Sequence, residues 1–486
     1  MTALVWLRGD LRLDDQPAIR AAAGEPALYL YVHDETVGRP LGGASRWWLG
    51  RSLVAFGEAL SRTGARLDVV RGAAGDVLPA LAGFAERVYW TRRYDGAGIE
   101  TDRRVKAEFR RLGASVESFN GQLLREPWEV ATEAGGAFKV FTPFWRRSRE
   151  MGPFAPPERA PARLVAAPWP AGAPRRVEIA ELGLHPEKPD WSGGLADAWR
   201  PGEQGAKARL KHFLGQRLSA YAEARDLLDD ETGSRLSPHL RFGEISPRRV
   251  VAAIEAAAQD AGGERGAEKF LAELGWREFS HSLLYQEPAL ATKNWNARFD
   301  GFPWRDDAAA LRAWRRGLTG YPVVDAAMRE LWRTGYMPNR ARMIAGSFLT
   351  KHLGIDWRAG EAWFWDTLCD ADGANNPANW QWVAGSGADA APYFRVFNPV
   401  LQAEKFDARG AYVRRWVPEL AKLDARHIHA PWRASAHALA QAGVALGETY
   451  PRPIVDHGQA RARALAAFAR VSQRSPTRRN SANSTG

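Results

Sequence analysis

The sequence predicts an α/β fold: an N-terminal doubly wound parallel-sheet domain, a long linker, and a large all-α domain. Three observations carry this. Short β-rich runs alternate with helical stretches up to residue 130, prolines and glycines then crowd the chain, and from about residue 203 the apolar spacing is helical. The divisions are 1–130, a Pro-rich linker over 131–202, an all-α domain over 203–470, and a basic tail over 471–486 expected to be disordered. At 486 residues the chain exceeds one ordinary domain.

Taken in order, ALVWL (3–7) and ALYLYVH (27–33) are apolar runs of buried-strand length, followed by a helical pattern over 44–63. RLDVV (66–70), a helix near 75–83, RVYWT (87–91), a helix over 98–112 and SVESF (115–119) continue the alternation. Parallel sheets of this kind take ligands at the carboxyl ends of their strands. Gly96-Ala97-Gly98 follows a strand but reads as a loop, and neither G-x-G-x-x-G nor G-x-x-x-x-G-K-[ST] is present. Nine prolines lie from Pro153 to Pro189 and interrupt regular structure.

No run approaches the eighteen or so apolar residues of a membrane span, and MTALVWLRGDLR lacks the features of a secretory signal. The single cysteine, Cys369, excludes an intramolecular disulfide and a cysteine-rich zinc site. A soluble, cytoplasmic protein is expected. The net charge of +11 has a solubility reading, but its distribution points further. Residues 298–358 hold eleven Arg/Lys against six Asp/Glu, with Trp304, Trp314, Trp332 and Trp357 between them. Cations for phosphates and aromatics for unstacked bases make a nucleic-acid surface.

Four helical-region segments could carry chemistry. Thr232-Gly233-Ser234-Arg235-Leu236-Ser237-Pro238 offers hydroxyls, a glycine and an arginine to an anionic group, and Ser237-Pro238 suits an N-cap and first turn. Glu273 and Trp276 share a helix face, where a carboxylate could read a base edge while the indole stacks; an amphipathic surface helix has the same spacing. Asn339, Arg340 and Met343 follow Pro338 at a helix start and suit a polar aromatic ligand near a phosphate. Asp370, Asp372, Asn375, Asn376, Trp380 and Trp382 form a polar-aromatic cluster, with Asn376 before Pro377 as an N-cap. No metal-ligand spacing accompanies the two aspartates, so no metal is expected. H-E-x-x-H and G-x-S-x-G are absent, so hydrolytic templates find no support.

In this order, behind LVWLRGDLRLDDQPAI, these segments resemble the DNA photolyase/cryptochrome family over residues 3 to about 470. GYPVVDAAMRELWRTGYMPNRARMIAGSFLT, DGANNPANWQWVAG and DAAPYFRVFNPVLQAEKFD carry the likeness most specifically, and it is greatest to bacterial cyclobutane pyrimidine dimer photolyases of class I or class III type. The resemblance implies a fully reduced FAD whose phosphates and ribityl chain meet Tyr221, Thr232, Gly233, Ser234, Arg235, Leu236 and Ser237. Arg342, Asp370 and Asp372 would frame the isoalloxazine, with Asn376 facing N5. Plant cryptochromes have Asp at the place of Asn376, which favours repair over signalling. Glu273, Trp276, Asn339, Met343 and Trp382 would receive the flipped-out dimer, as the family's base-flipping chemistry requires. Arg225 and Arg340 would bind flanking phosphates. Histidines at the positions of Asn339 and Met343 would mark the (6-4) photoproduct enzymes. Trp380, Trp357 and Trp304 match the family's tryptophan chain for reducing oxidised flavin.

The resemblance further implies light-driven electron transfer to UV-damaged DNA, and a second, antenna chromophore in the α/β domain. Methenyltetrahydrofolate is favoured over 8-hydroxy-deazaflavin on the likeness to class III. A monomeric bacterial cytoplasmic enzyme, nucleoid-associated when bound to DNA, is expected. The alternative is a cryptochrome-type blue-light receptor that binds FAD without repair. A DNA-binding module without cofactor fits the charge but leaves the 370–382 cluster unexplained.

Overall fold

The computed structural model describes residues 2–228, 232–261, 263–390 and 394–473. Most of the expected basic tail, residues 474–486, lies outside them. The chain divides into two compact units: Met1–Pro288 with Glu330–Pro338 and Phe364–Asn376, and Ala289–Arg329 with Asn339–Trp363 and Pro377–Gly486.

The first unit contains the expected parallel sheet. Strands β1 (Ala3–Leu7), β2 (Pro26–His33), β3 (Leu67–Arg71), β4 (Arg87–Thr91) and β5 (Ser115–Phe119) lie in the order β3-β2-β1-β4-β5, and the two-residue β6 (Val165–Ala166) adds to β2. All pairings are parallel. Alternate residues explain why. Ala3, Val5, Leu7, Tyr29 and Tyr31 enter one core with Trp47, Trp48, Leu53 and Phe56 of helix α1 (Gly43–Arg62). Leu4, Trp6, Leu28, Leu30 and Val32 enter another with Val105 and Phe109 of helix α2 (Gly96–Arg111). A sheet covered on both faces needs such continuous apolar strands.

One expectation is corrected here. Gly96-Ala97-Gly98 is the first turn of α2 and not a loop, because Asp95 caps it by accepting from the Gly98 N–H at 2.8 Å. From Pro153 to Pro189 the only regular elements are β6 and a 3-10 turn, Ile179–Leu182. Just ahead of that stretch, inside the segment read as linker, lies a ten-residue helix, α3 (Phe141–Glu150).

The first unit also holds α4 (Ser237–Arg241) and the 23-residue α5 (Glu264–Gln286). Arg12 ties the sheet to this helical part. Its buried guanidinium donates to the carbonyls of Gly121 (2.7 Å), Asp15 (2.8 Å) and Gly243 (2.9 Å).

The second unit's principal elements are helices. There α6 (Asn339–Ser347) runs into a π-helical turn, Phe348–Leu353, and α9 (His457–Ser472) closes the described chain. Two further helices, α7 (Trp357–Thr367) and α8 (Asn375–Ala384), each have residues in both units. No helix among the described residues is long and apolar enough to cross a membrane.

Candidate functional site

In the first unit, Ser237, at the end of the irregular segment 232–236, meets Asp370 of the segment 370–376. Thr232 and Asp370 are buried, and the Ser237 hydroxyl donates to Asp370 Oδ2 at 2.6 Å. Ser237 is therefore not the expected N-cap. It stands first inside α4 while Leu236 holds the cap position without a side-chain bond, because the hydroxyl is drawn to a carboxylate 133 residues away. Arg235 has φ of +53°, a strained backbone for a non-glycine residue, and its guanidinium lies 4.2 Å over Trp199 and 5.2 Å over Tyr336.

Asp372 accepts the backbone N–H groups of Ala374 (2.8 Å) and Asn375 (2.6 Å) and the Asn375 side-chain amide (2.7 Å). This corrects a second cap: Asp372 satisfies the first amides of α8, and Asn376 sits second within the helix. Burial opposes ionisation of Asp372, but His281, Arg241 and the Asn375 amides outweigh it and hold the carboxyl below its ordinary range. Burial and the neighbouring Arg277 push His281 down to about 4, so its imidazole is neutral at pH 7 and Arg241 is the cation that matters. Arg241 itself donates to the Ala371 carbonyl at 2.8 Å.

On α5, Glu273 pairs with Arg225 and, at 3.6 Å, with Lys269 one turn before it. Arg225, expected at a flanking phosphate, is thus engaged by the carboxylate; the pairing with Glu273 raises its pKa against the opposing effect of burial. Trp276, part-exposed, stacks on Phe141 of α3 with centroids 3.9 Å apart and planes 11° from parallel. The adjacent Glu278 is buried, accepts the amides of Leu124 (2.7 Å) and Arg125 (3.3 Å), and is pushed up to about 7 by its burial.

The second unit holds the remaining residues. The exposed Asn339 turns its amide to Met343 Sδ at 3.8 Å, Arg340 lies 4.3 Å over the ring of Phe406, and Arg342 is part-exposed. Trp382 donates to the Asp389 carbonyl at 3.1 Å. Trp357 is fully buried and donates to Asn294 Oδ1 at 2.9 Å; Trp304 is part-exposed and packs on Phe302 at 4.3 Å. Trp380 packs over Gly360, where a Cβ would come within 2.1 Å of the indole, and edge-on against Trp314 at 6.1 Å. His281 and Phe141 were not singled out by sequence, since neither belongs to a local motif.

Comparison with known proteins identifies the family. Residues 3–162 match the family model "DNA photolyase", and 270–470 match "FAD binding domain of DNA photolyase". The chain is 50% identical over 475 residues to the deoxyribodipyrimidine photo-lyase of Agrobacterium fabrum, covering 96% of this chain and 98% of the relative. The chain belongs to the DNA photolyase/cryptochrome family. A bacterial class III photolyase from Agrobacterium tumefaciens superposes with a TM-score of 0.93 at 49% identity, covering 97% of this chain and 98% of that one. Cryptochrome-2 of Arabidopsis thaliana is 37% identical over 94% of this chain and 77% of its own length.

As a photolyase-family chain it carries that family's FAD-binding domain. The residues of the first unit fit such a group. Segment 232–236 brings hydroxyls and backbone N–H groups outside any helix, as a diphosphate needs, around a strained Arg235. Beside Asp372, the Nδ1 of His281 is buried without a hydrogen-bond partner, a polar atom placed for something other than protein. The photolyase-type sheet behaves differently at its topological switch point, between β1 and β4. There Arg8 pairs with Asp102 at 2.5 Å and lies 4.0 Å over Trp6, while Trp90 donates to Asp102 at 3.0 Å. Asp10 accepts from Gln16 and Thr91 at 2.7 Å each. Arg8, Trp6, Trp90 and Asp102 thus engage one another at this edge of the sheet.

Proposed function

We propose that this protein is a light-dependent DNA repair lyase, a deoxyribodipyrimidine photo-lyase that splits cyclobutane pyrimidine dimers. The observation that carries the reading is the α5 face, where a cation-paired carboxylate, Glu273, stands beside the part-exposed indole of Trp276. It occurs in a chain half identical to a deoxyribodipyrimidine photo-lyase along nearly its whole length. Bound here in its fully reduced form, FAD would supply the light-driven electron chemistry that splits the cyclobutane ring. The chain's own residues bind and orient, which is the protein's part in cofactor chemistry. Tyr221, Thr232, Gly233, Ser234, Arg235, Leu236 and Ser237 hold the diphosphate and ribityl chain, Asp370, Asp372 and Arg342 the ring system, and Asn376 its N5 edge. Glu273 and Asn339 hydrogen-bond the pyrimidine edges, Trp276, Met343 and Trp382 pack on their faces, and Arg225 and Arg340 face the flanking backbone. Trp380, Trp357 and Trp304 relay electrons inward when the cofactor is oxidised.

The antenna is a folate, methenyltetrahydrofolate, in preference to a deazaflavin, a reading supported by the likeness to a class III photolyase. Residues 1–130 are the antenna-bearing part, 131–202 the connection and 203–470 the part for FAD and DNA. The enzyme works as a cytoplasmic monomer on UV-damaged DNA.

The deciding experiment incubates the purified protein with dimer-containing DNA under blue light and in darkness, alongside its visible spectrum. Light-dependent loss of dimers by a coloured preparation is expected. A colourless preparation overturns the reading, and a coloured one without repair makes the protein a receptor. Trp380→Phe should slow photoreduction of the oxidised cofactor severalfold yet spare repair by protein already reduced; equal loss of both would remove Trp380 from the relay.

A further inference from the structure

The stack of Phe141 on Trp276 is an unusual contact. With centroids 3.9 Å apart and planes 11° from parallel, the two rings overlap nearly face to face. Aromatic pairs left to themselves avoid that geometry, because their quadrupoles favour offset or edge-on packing. The surroundings impose it. Phe279 is buried and stands edge-on to both rings, 6.2 Å and 67° from Phe141 and 5.9 Å and 75° from Trp276. One turn further along α3, Trp145 covers Gly275, where a Cβ would come within 2.6 Å of the indole. Neighbouring residues of α5 are thus gripped by two residues of α3 one turn apart. The plane of Trp276 is fixed and one face is covered, yet the residue keeps accessible surface.

We infer that Phe141 is a positioning residue for lesion recognition, backing Trp276 so that the indole presents one fixed face to an extruded pyrimidine. The inference rests on the reading of Trp276 as a base-stacking residue. Phe141, Trp276 and the base then form three layers, and the middle ring needs no ordering when the base arrives. Phosphate contacts set the affinity for any DNA, whereas this stack meets only a base that has left the helix. The effect therefore falls on damaged DNA alone.

The test titrates reduced holoenzyme in the dark with a labelled duplex carrying one cyclobutane dimer, and with its undamaged counterpart. The proteins are the parent, Phe141→Leu, Phe141→Tyr, Trp276→Ala and the double variant Phe141→Leu/Trp276→Ala. Phe141→Leu should weaken binding of damaged duplex about two- to tenfold, the range that one aromatic pair contributes. It should leave undamaged duplex unchanged and raise KM for repair without changing the light-saturated rate. Phe141→Tyr should restore binding, and in the Trp276→Ala background the leucine should add nothing. An equal loss from leucine with and without Trp276 overturns the positioning role. Unchanged binding of damaged DNA by Trp276→Ala instead overturns the stacking role of Trp276 and the inference with it. If leucine prevents folding, judged by circular dichroism and FAD content, Phe141→Met carries the same cycle.

Discussion

At the residue scale, Glu278 shows what burial does to a charge that sequence reads as an ordinary helix carboxylate. It is 4% exposed, accepts two backbone amides, and is pushed by burial from 4.5 to about 7. Between those values the folded protein holds a proton that the unfolded chain has released. The unfolding free energy therefore falls as pH rises from 4.5 to 7, by about 3 kcal/mol at most, and stays reduced above. Glu278→Gln keeps an acceptor for the amides of Leu124 and Arg125 and removes the titration. Urea denaturation should find the variant more stable than the parent at pH 8, no more stable at pH 5, and without the slope between. A slope that survives the substitution would place the titration elsewhere. None of this was legible in the motif around Glu273, because the amides that Glu278 accepts come from residues 124 and 125.

At the element scale, what was legible followed one rule: a pattern complete within a segment could be read, and one completed by a distant residue could not. Each of β1 to β5 falls within a residue of its expected limits; in β1, β2 and β4 both faces are buried and the apolar run itself marks the strand, while β5 is placed by its position in the alternation. The two expected caps failed for a common reason. Ser237 and Asn376 have cap-type side chains ahead of or beside a proline, yet Asp370 takes the serine hydroxyl and Asp372 takes the first amides of α8. Helix α3 escaped notice beside the proline-rich stretch although Phe141, Phe144, Trp145 and Ser148 carry helical spacing, because the ten-residue pattern lies in a segment read from its composition as linker. The cap correction carries a prediction. Asp372→Ala removes an acceptor from the Ala374 and Asn375 amides and should cost about 1–3 kcal/mol of stability even in flavin-free protein. The holoenzyme should lose more, because a cofactor bound only to the folded state adds to stability. Equal losses with and without FAD, measured by thermal unfolding, would make Asp372 a cap and nothing else.

At the scale of the whole molecule, the charge count needs correcting before it predicts binding. Of the eleven cations between residues 298 and 358, at least five are held by protein carboxylates or carbonyls. Arg305 meets Asp307 (3.3 Å), Arg329 meets Glu419 (2.8 Å), Arg333 meets Asp197 (3.3 Å) and Arg358 meets Asp356 (3.1 Å). Lys351 donates to the carbonyls of Val383 and Arg395, both at 2.6 Å, while burial pushes it down to about 7. A cation held this way releases no counterion when DNA binds. Each phosphate neutralised lowers the slope of log K against log salt by roughly 0.9, so eleven contacts would give a slope near −10. The slope should be clearly shallower, no steeper than about −5, for damaged and undamaged duplex alike. Their ratio should stay constant with salt, because phosphates set position while the flipped dimer sets preference through stacking and base-edge contacts. Fluorescence anisotropy titrations over a range of salt concentrations measure both quantities. A slope near −10 would mean that the internal pairs open on binding, and a ratio that collapses with salt would move lesion preference from Glu273 and Trp276 to the charged surface.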